Sequence, residues 1–75
     1  MIEEVTTKKA VEKCQKMSPC YICGHRPVLE KKKFTYDMYY RYKCSLCSNV
    51  TGWHCGYKLG IPSAEKEWED TNGGG

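Results

Sequence analysis

Long apolar runs are missing from this sequence. No stretch approaches the roughly 18–20 apolar residues that a helix needs to cross a bilayer, so no membrane span is expected. Residues 1–18 (MIEEVTTKKAVEKCQKMS) also lack the continuous apolar segment of an export signal. The expected compartment is therefore the reducing cytosol, where disulfides are rare. Histidine is scarce: His25 and His54 are the only two. Neither belongs to a Cys–His–Asn or Ser–His–Asp set, so no nucleophilic enzyme is expected. Phenylalanine occurs once, and 75 residues is short for a core. A chain of this length buries only about 60% of the surface it exposes when unfolded. That leaves no room for a large catalytic cleft with its own substrate domain, and no small-molecule substrate is expected. Small cores of this kind are usually helped by disulfides, a metal or a partner.

What the chain does have is cysteine, six in all. In a reducing compartment these are expected as metal ligands rather than disulfide staples. Three zones organise the chain. Residues 1–18 read as an N-terminal helical leader. Residues 19–60 hold five cysteines, both histidines, all six tyrosines and the phenylalanine. Residues 61–72 read as a short C-terminal helix, followed by a glycine tail, 73–75, expected to be disordered. The formal charges of the zones are +1, +5 and −3, for a net charge of +3. An anionic partner would therefore meet the middle zone.

Periodicity gives the elements. Ala10, Cys14 and Met17 fall at i, i+4, i+7 with Val11 beside them, one face of a helix. Thr6 or Thr7 suits its N-cap, and Ser18–Pro19 its end. Tyr36, Met38, Tyr40 and Tyr42 alternate with Thr35, Asp37, Tyr39 and Arg41, the period of a half-buried strand. The first set is expected to face the core, with Tyr39 and Arg41 facing out. Residues 28–34 are expected as a partner strand, its Lys31-Lys32-Lys33 run protecting an edge. Residues 50–55 (VTGWHC) are expected as a third strand, weakened by Gly52. Pro62 suits a first helical turn, and Ala64 and Trp68 share a face at i, i+4.

The chemistry sits in two C-x₂-C pairs, Cys20-Tyr21-Ile22-Cys23 and Cys44-Ser45-Leu46-Cys47, with twenty residues between them. This spacing matches the C-x₂-C-x₁₅₋₂₀-C-x₂-C pattern of a zinc site. Two thiolates two residues apart on a tight turn can point at one ion, and two such turns supply a tetrahedron of sulfurs. The expectation is one structural Zn²⁺ on Cys20, Cys23, Cys44 and Cys47. Disulfide pairing and an iron-loaded, rubredoxin-like redox site are the alternatives. Gly24 follows the first pair, where a positive φ is often needed. Asn49 follows the second, and Asn tolerates left-handed geometry. Cys14 is expected as a small buried hydrophobe. Cys55 is expected buried beside an exposed His54.

Basic and aromatic residues interleave in the middle zone. Arg26, Lys31, Lys32, Lys33, Tyr39, Arg41 and Lys43 are the candidate partner-binding surface. Tyr and Arg are enriched at protein-binding hot spots. Aromatics among bases also suit nucleic-acid stacking, the alternative partner. The expected fold is a small zinc-stabilised α+β protein. It is a zinc ribbon with rubredoxin-like knuckles, a three-stranded antiparallel sheet, an N-terminal helix and a short C-terminal helix.

The order of motifs resembles a known family. Pro19-Cys20-Tyr21-Ile22-Cys23-Gly24, a tyrosine-rich strand into Cys44-Ser45-Leu46-Cys47, a short strand, then Ala64 and Trp68 on a closing helix are similar to the Lar-like restriction-alleviation family. Its members are small zinc-ribbon proteins encoded by phages and prophages. The likeness covers about residues 19–69 and excludes the leader. Ser48 stands where the family usually has Gly, and Glu69 where it usually has Asn. The resemblance implies a bacteriophage protein in the cytoplasm of its bacterial host. It would bind and modulate a host protein of restriction–modification or another anti-phage nuclease.

Overall fold

Eight residues of alternating character, Asp37–Cys44, form the strand on which the rest is placed. The computed structural model describes residues 2–73. Its elements in chain order are β1 (Ile2–Glu4), α1 (Lys8–Lys16), β2 (Pro27–Phe34), β3 (Asp37–Cys44), β4 (His54–Cys55) and α2 (Tyr57–Asn72). Together they make a small α+β structure with one antiparallel sheet of order β1-β2-β3-β4.

β2 and β3 pair along their whole length, from Pro27↔Cys44 to Phe34↔Asp37. Residues alternate across the sheet. Leu29, Tyr40 and Tyr42 therefore face the helices and are buried. Glu30, Lys32, Tyr39 and Arg41 take the opposite face, which no helix among the described residues covers. The pairing leaves Thr35 and Tyr36 as a two-residue loop. Tyr36, expected in the core, is consequently 92% exposed. The period of two runs one residue past the strand and into the turn. Thr35 has φ 60°, a value at which tight hairpins favour glycine over a β-branched residue.

The sheet has four strands rather than three. The leader is not wholly helical, because Ile2–Glu4 pairs with β2 as Ile2↔Lys32, Glu3↔Lys31 and Glu4↔Glu30. Lys31, Lys32 and Lys33 thus lie on an inner strand, and β1 forms the edge. α1 begins after Thr7, whose hydroxyl accepts the Ala10 N–H at 3.3 Å. Lys13 and Lys16 occupy its last turn, where a cation suits the helix dipole. Cys14 and Met17 are buried as their spacing implies.

Residues 50–55 hold less strand than expected. Val50 makes one isolated bridge to Lys43, and only His54–Cys55 pairs regularly with β3. α2 starts earlier than expected, at Tyr57, so Pro62 sits inside it. Gly60 explains the early start. A Cβ there would lie 2.7 Å from the carbonyl oxygens of both His54 and Cys55, so the helix can lie against β4 only with glycine. Ala64 and Trp68 share the buried face of α2, each with no exposed surface. The tail expected at 73–75 lies, beyond Gly73, outside the described residues. Among those described, no helix is long and apolar enough to cross a membrane.

Candidate metal centre

Each C-x₂-C pair sits on a tight knuckle. In the first, the Gly24 N–H returns to the Cys20 carbonyl at 2.8 Å, and the Cys20 N–H reaches the His25 carbonyl at 2.8 Å. Gly24 has φ 79°, the left-handed value the sequence requires of it. In the second, the Cys44 N–H donates to the Asn49 carbonyl at 2.8 Å. Asn49 does not take a left-handed conformation; Thr35 is the one non-glycine residue with positive φ among those described. The β2–β3 hairpin brings the two knuckles together, because Pro27 just after the first pairs with Cys44 opening the second.

The four sulfurs of Cys20, Cys23, Cys44 and Cys47 lie within 4.8 Å of one another and can hold a metal ion. The Sγ atoms of Cys23 and Cys44 are 3.1 Å apart, those of Cys20 and Cys47 3.5 Å, and those of Cys23 and Cys47 3.8 Å. A tetrahedron with metal–sulfur bonds near 2.3 Å has edges of about 3.8 Å. The donor set therefore fits a tetrahedral, thiophilic ion.

Electrostatics favours that reading. N–H groups of Ile22, Leu46 and Cys47 point at sulfurs at 3.4 Å, Ile22 at Cys20 and the other two at Cys44. Burial opposes ionisation of Cys20, but donors from Asn49, Cys23 and Ile22 outweigh it and lower the thiol to about 6. Burial likewise opposes ionisation of Cys44, and the Cys47 and Leu46 N–H groups overcome it. The neighbouring Cys44 sulfur pushes Cys23 up to about 12. At Cys47 an N–H bond from Asn49 acts downward, but burial and the sulfurs of Cys44 and Cys20 raise the thiol. Two thiols are pulled down and two pushed up because, without a metal, neighbouring sulfurs share protons, Cys23 and Cys47 keeping theirs as donors to the sulfurs beside them. A bound dication stabilises all four thiolates and displaces the remaining protons.

A ring of polar side chains clamps the two knuckles, and sequence spacing gave no sign of it. Asn49 donates Nδ2 to the Cys20 sulfur at 3.3 Å and to Asn72 Oδ1 at 2.7 Å. Asn72 Oδ1 also accepts the Tyr21 N–H at 3.1 Å, and its own amide is tied to the Trp68 carbonyl at 2.9 Å. Glu69 accepts both the N–H (2.9 Å) and the hydroxyl (2.6 Å) of Ser18, just before the first knuckle. The end of α2 is therefore a brace across both knuckles. Partners of this kind orient ligands, and losing one typically costs ~10–100-fold in metal affinity. Asn49→Ala is expected to weaken metal affinity within that range while leaving one ion per chain, as a competition titration with a chromogenic chelator would read.

The other candidates separate. Lys32 and Arg41 meet over Trp53, with Lys32 Nζ 4.4 Å and Arg41 Cζ 4.3 Å from the ring centroid. Arg41 also pairs with Glu30 at 2.7 Å. Tyr39 and Lys43 share this face by alternation, and Tyr39 packs edge-on against Phe34 at 6.2 Å. Lys31 and Lys33 point to the helix side instead. Arg26 lies apart, its guanidinium donating to the Met17 carbonyl. His54 and Cys55 reverse the expected burial. Cys55 is exposed, and His54 is half-buried with Nε2 2.7 Å from Glu67 Oε1. The alternation at β4 turns His54 toward α2. The Gly52 N–H, reinforced by His54, holds the Glu67 carboxyl below its ordinary range. That bond stabilises the fold above the ordinary carboxylate range and is lost as pH falls through the lowered value.

No family model, curated protein or solved structure matches this chain.

Proposed function

We propose that this chain is a non-enzymatic zinc ribbon that binds and modulates a bacterial host protein, encoded by a phage and active in the host cytoplasm. Cys20, Cys23, Cys44 and Cys47 hold one structural Zn²⁺. The observation that carries this reading is the convergence of four thiols, with N–H donors aimed at their sulfurs, on one tetrahedral site. Thiolates suit zinc better than hard cations. Four protein ligands fill its coordination, whereas a catalytic zinc keeps a position open for water. The metal then serves the fold, and the work falls to the surface.

The assignment to host defence is supported by the resemblance of the motif order to that of restriction-alleviation proteins, a component of restriction–modification or another anti-phage nuclease being the target. The alternative is nucleic-acid binding in phage or host transcription or DNA metabolism. The sheet face away from the helices favours it, where Lys32 and Arg41 lie against Trp53 beside Tyr39, Phe34 and Lys43.

A tagged pull-down from nuclease-treated bacterial lysate, washed at moderate and high salt, separates the two. One stoichiometric protein surviving both washes is the expected result. A partner list that vanishes with nuclease or salt would replace this reading with nucleic-acid binding.

A further inference from the structure

Both helices lie on the same face of the sheet, and they are tied together toward their C-terminal ends. Trp68 Nε1 donates to the Ser18 carbonyl at 2.8 Å, and Glu69 holds Ser18. These bonds join the chain just past α1 to the last turns of α2. Farther along, Lys13 reaches Glu65 at 2.7 Å. Beyond that pair the helices part, and a cleft of about 470 Å³ opens between them. Leu29, Tyr40 and Tyr42 form its floor, and Ala10, Tyr57 and Ile61 its walls.

The rim carries charge of one sign. Lys9, Lys13, Lys31 and Lys58 line the cleft, and no acidic residue does. Lys13 is paired with Glu65, and Lys31 loosely with Glu3 at 3.9 Å. Lys9 and Lys58 have no ion-pair partner among the described residues. Each stands in the first turn of its helix, and neither first turn contains an acid. Helix N-termini carry partial positive charge and usually attract one. Two such ends and two unpaired lysines therefore face one mouth over an apolar floor. The complementary ligand is a large apolar side chain flanked by carboxylates.

We infer that this cleft docks an acidic, apolar-rich segment of the partner protein. The inference rests on the reading that the chain acts by binding a protein. The cleft is open along its mouth, which suits a segment laid across it better than a small molecule, whose sites bury ~70–90% of the ligand. One or two apolar side chains fill the gap above Tyr40 and Tyr42. Neighbouring carboxylates meet Lys9 and Lys58.

The test is selection from a random peptide display library on the immobilised, zinc-loaded chain. Enriched peptides are expected to carry Trp, Phe or Leu beside Asp or Glu. Synthetic copies should shift the amide signals of Ala10, Tyr57 and Ile61. Their affinity should fall by roughly tenfold or more in Lys9→Glu/Lys58→Glu, and also in Ile61→Arg. Lys66→Glu, on α2 but outside the cleft, should leave affinity within about twofold. Zinc content and near-ultraviolet circular dichroism report whether each variant is folded. The charge-reversal pair, on exposed lysines, keeps the test valid if Ile61→Arg is not.

Several results would overturn the inference. These are basic or charge-free enriched peptides, no enrichment, or binding unchanged in the charge-reversal pair. Dodecanoate shifting the same signals where no peptide binds would assign the cleft to a small amphiphile. A concentration-dependent dimer abolished by Ile61→Arg would assign it to a second copy of this chain. If a host protein is captured and binds both variants normally, the cleft assignment fails while the protein-binding reading stands. If acidic peptides bind but no host protein is captured, the cleft stands and the host-protein reading fails.

Discussion

Cys44→Ser leaves the chain without a stable tertiary fold, whereas Cys55→Ser does not. Cys44 is fully buried, its sulfur lies 3.1 Å from that of Cys23, and it accepts the N–H groups of Leu46 and Cys47. Serine at this position does not ionise at neutral pH, so one of four anionic donors is lost. Structural zinc contributes ~10–16 kcal/mol of apparent binding free energy, which is folding free energy in a small metal-dependent domain. Total stabilities of domains are only ~5–15 kcal/mol. Losing most of the metal term exceeds what a core of this size supplies. Cys55 is exposed and outside the cluster, so its substitution should stay within about 0.5 kcal/mol. Near-ultraviolet circular dichroism and the amide dispersion of proton–nitrogen spectra check both.

Trp68→Ala gives the second largest effect. Trp68 has no exposed surface and is among the largest fully buried side chains. It packs on the core that Tyr42, Leu29 and Met17 share. Truncating a buried tryptophan typically costs about 3–5 kcal/mol through lost burial and the cavity left behind. Here a polar loss is added, because the indole N–H holds the Ser18 carbonyl. With that bond gone, the end of α2 no longer pins the chain entering the first knuckle. Trp68→Phe retains most of the volume and loses the donor, so it should cost only about 1–3 kcal/mol. Thermal unfolding of the metal-loaded protein measures both. A drop no larger for Ala than for Phe would mean the cavity contributes little and the hydrogen bond dominates.

The cysteine quartet was legible because its geometry is local. A C-x₂-C turn places its own sulfurs, and the tyrosine alternation at Tyr40 and Tyr42 implied the hairpin that joins the turns. Buried Cys14, Met17, Ala64 and Trp68 were legible for the same reason, each lying on a helical stripe. Features that depend on distant residues were not. Ile2–Glu4 has no alternation of its own and becomes a strand only by pairing with residues 30–32. Tyr36 continued the period of two, yet Thr35 turns the chain just before it. Pro62 read as a first-turn residue, yet α2 begins at Tyr57, because Gly60 lets its first turns lie on β4. The brace of Asn49, Asn72 and Glu69 joins positions 23 to 51 residues apart, and no spacing rule connects them.

One metal ion on Cys20, Cys23, Cys44 and Cys47 is expected to hold this fold together. Native mass spectrometry of the purified chain, followed through stepwise chelation with circular dichroism recorded in parallel, addresses it directly. The expected result is one zinc per chain, loss of the near-ultraviolet signal in step with loss of the metal, and recovery when zinc is returned. A chain free of metal with its fold intact, or disulfides joining these four cysteines, would contradict the account.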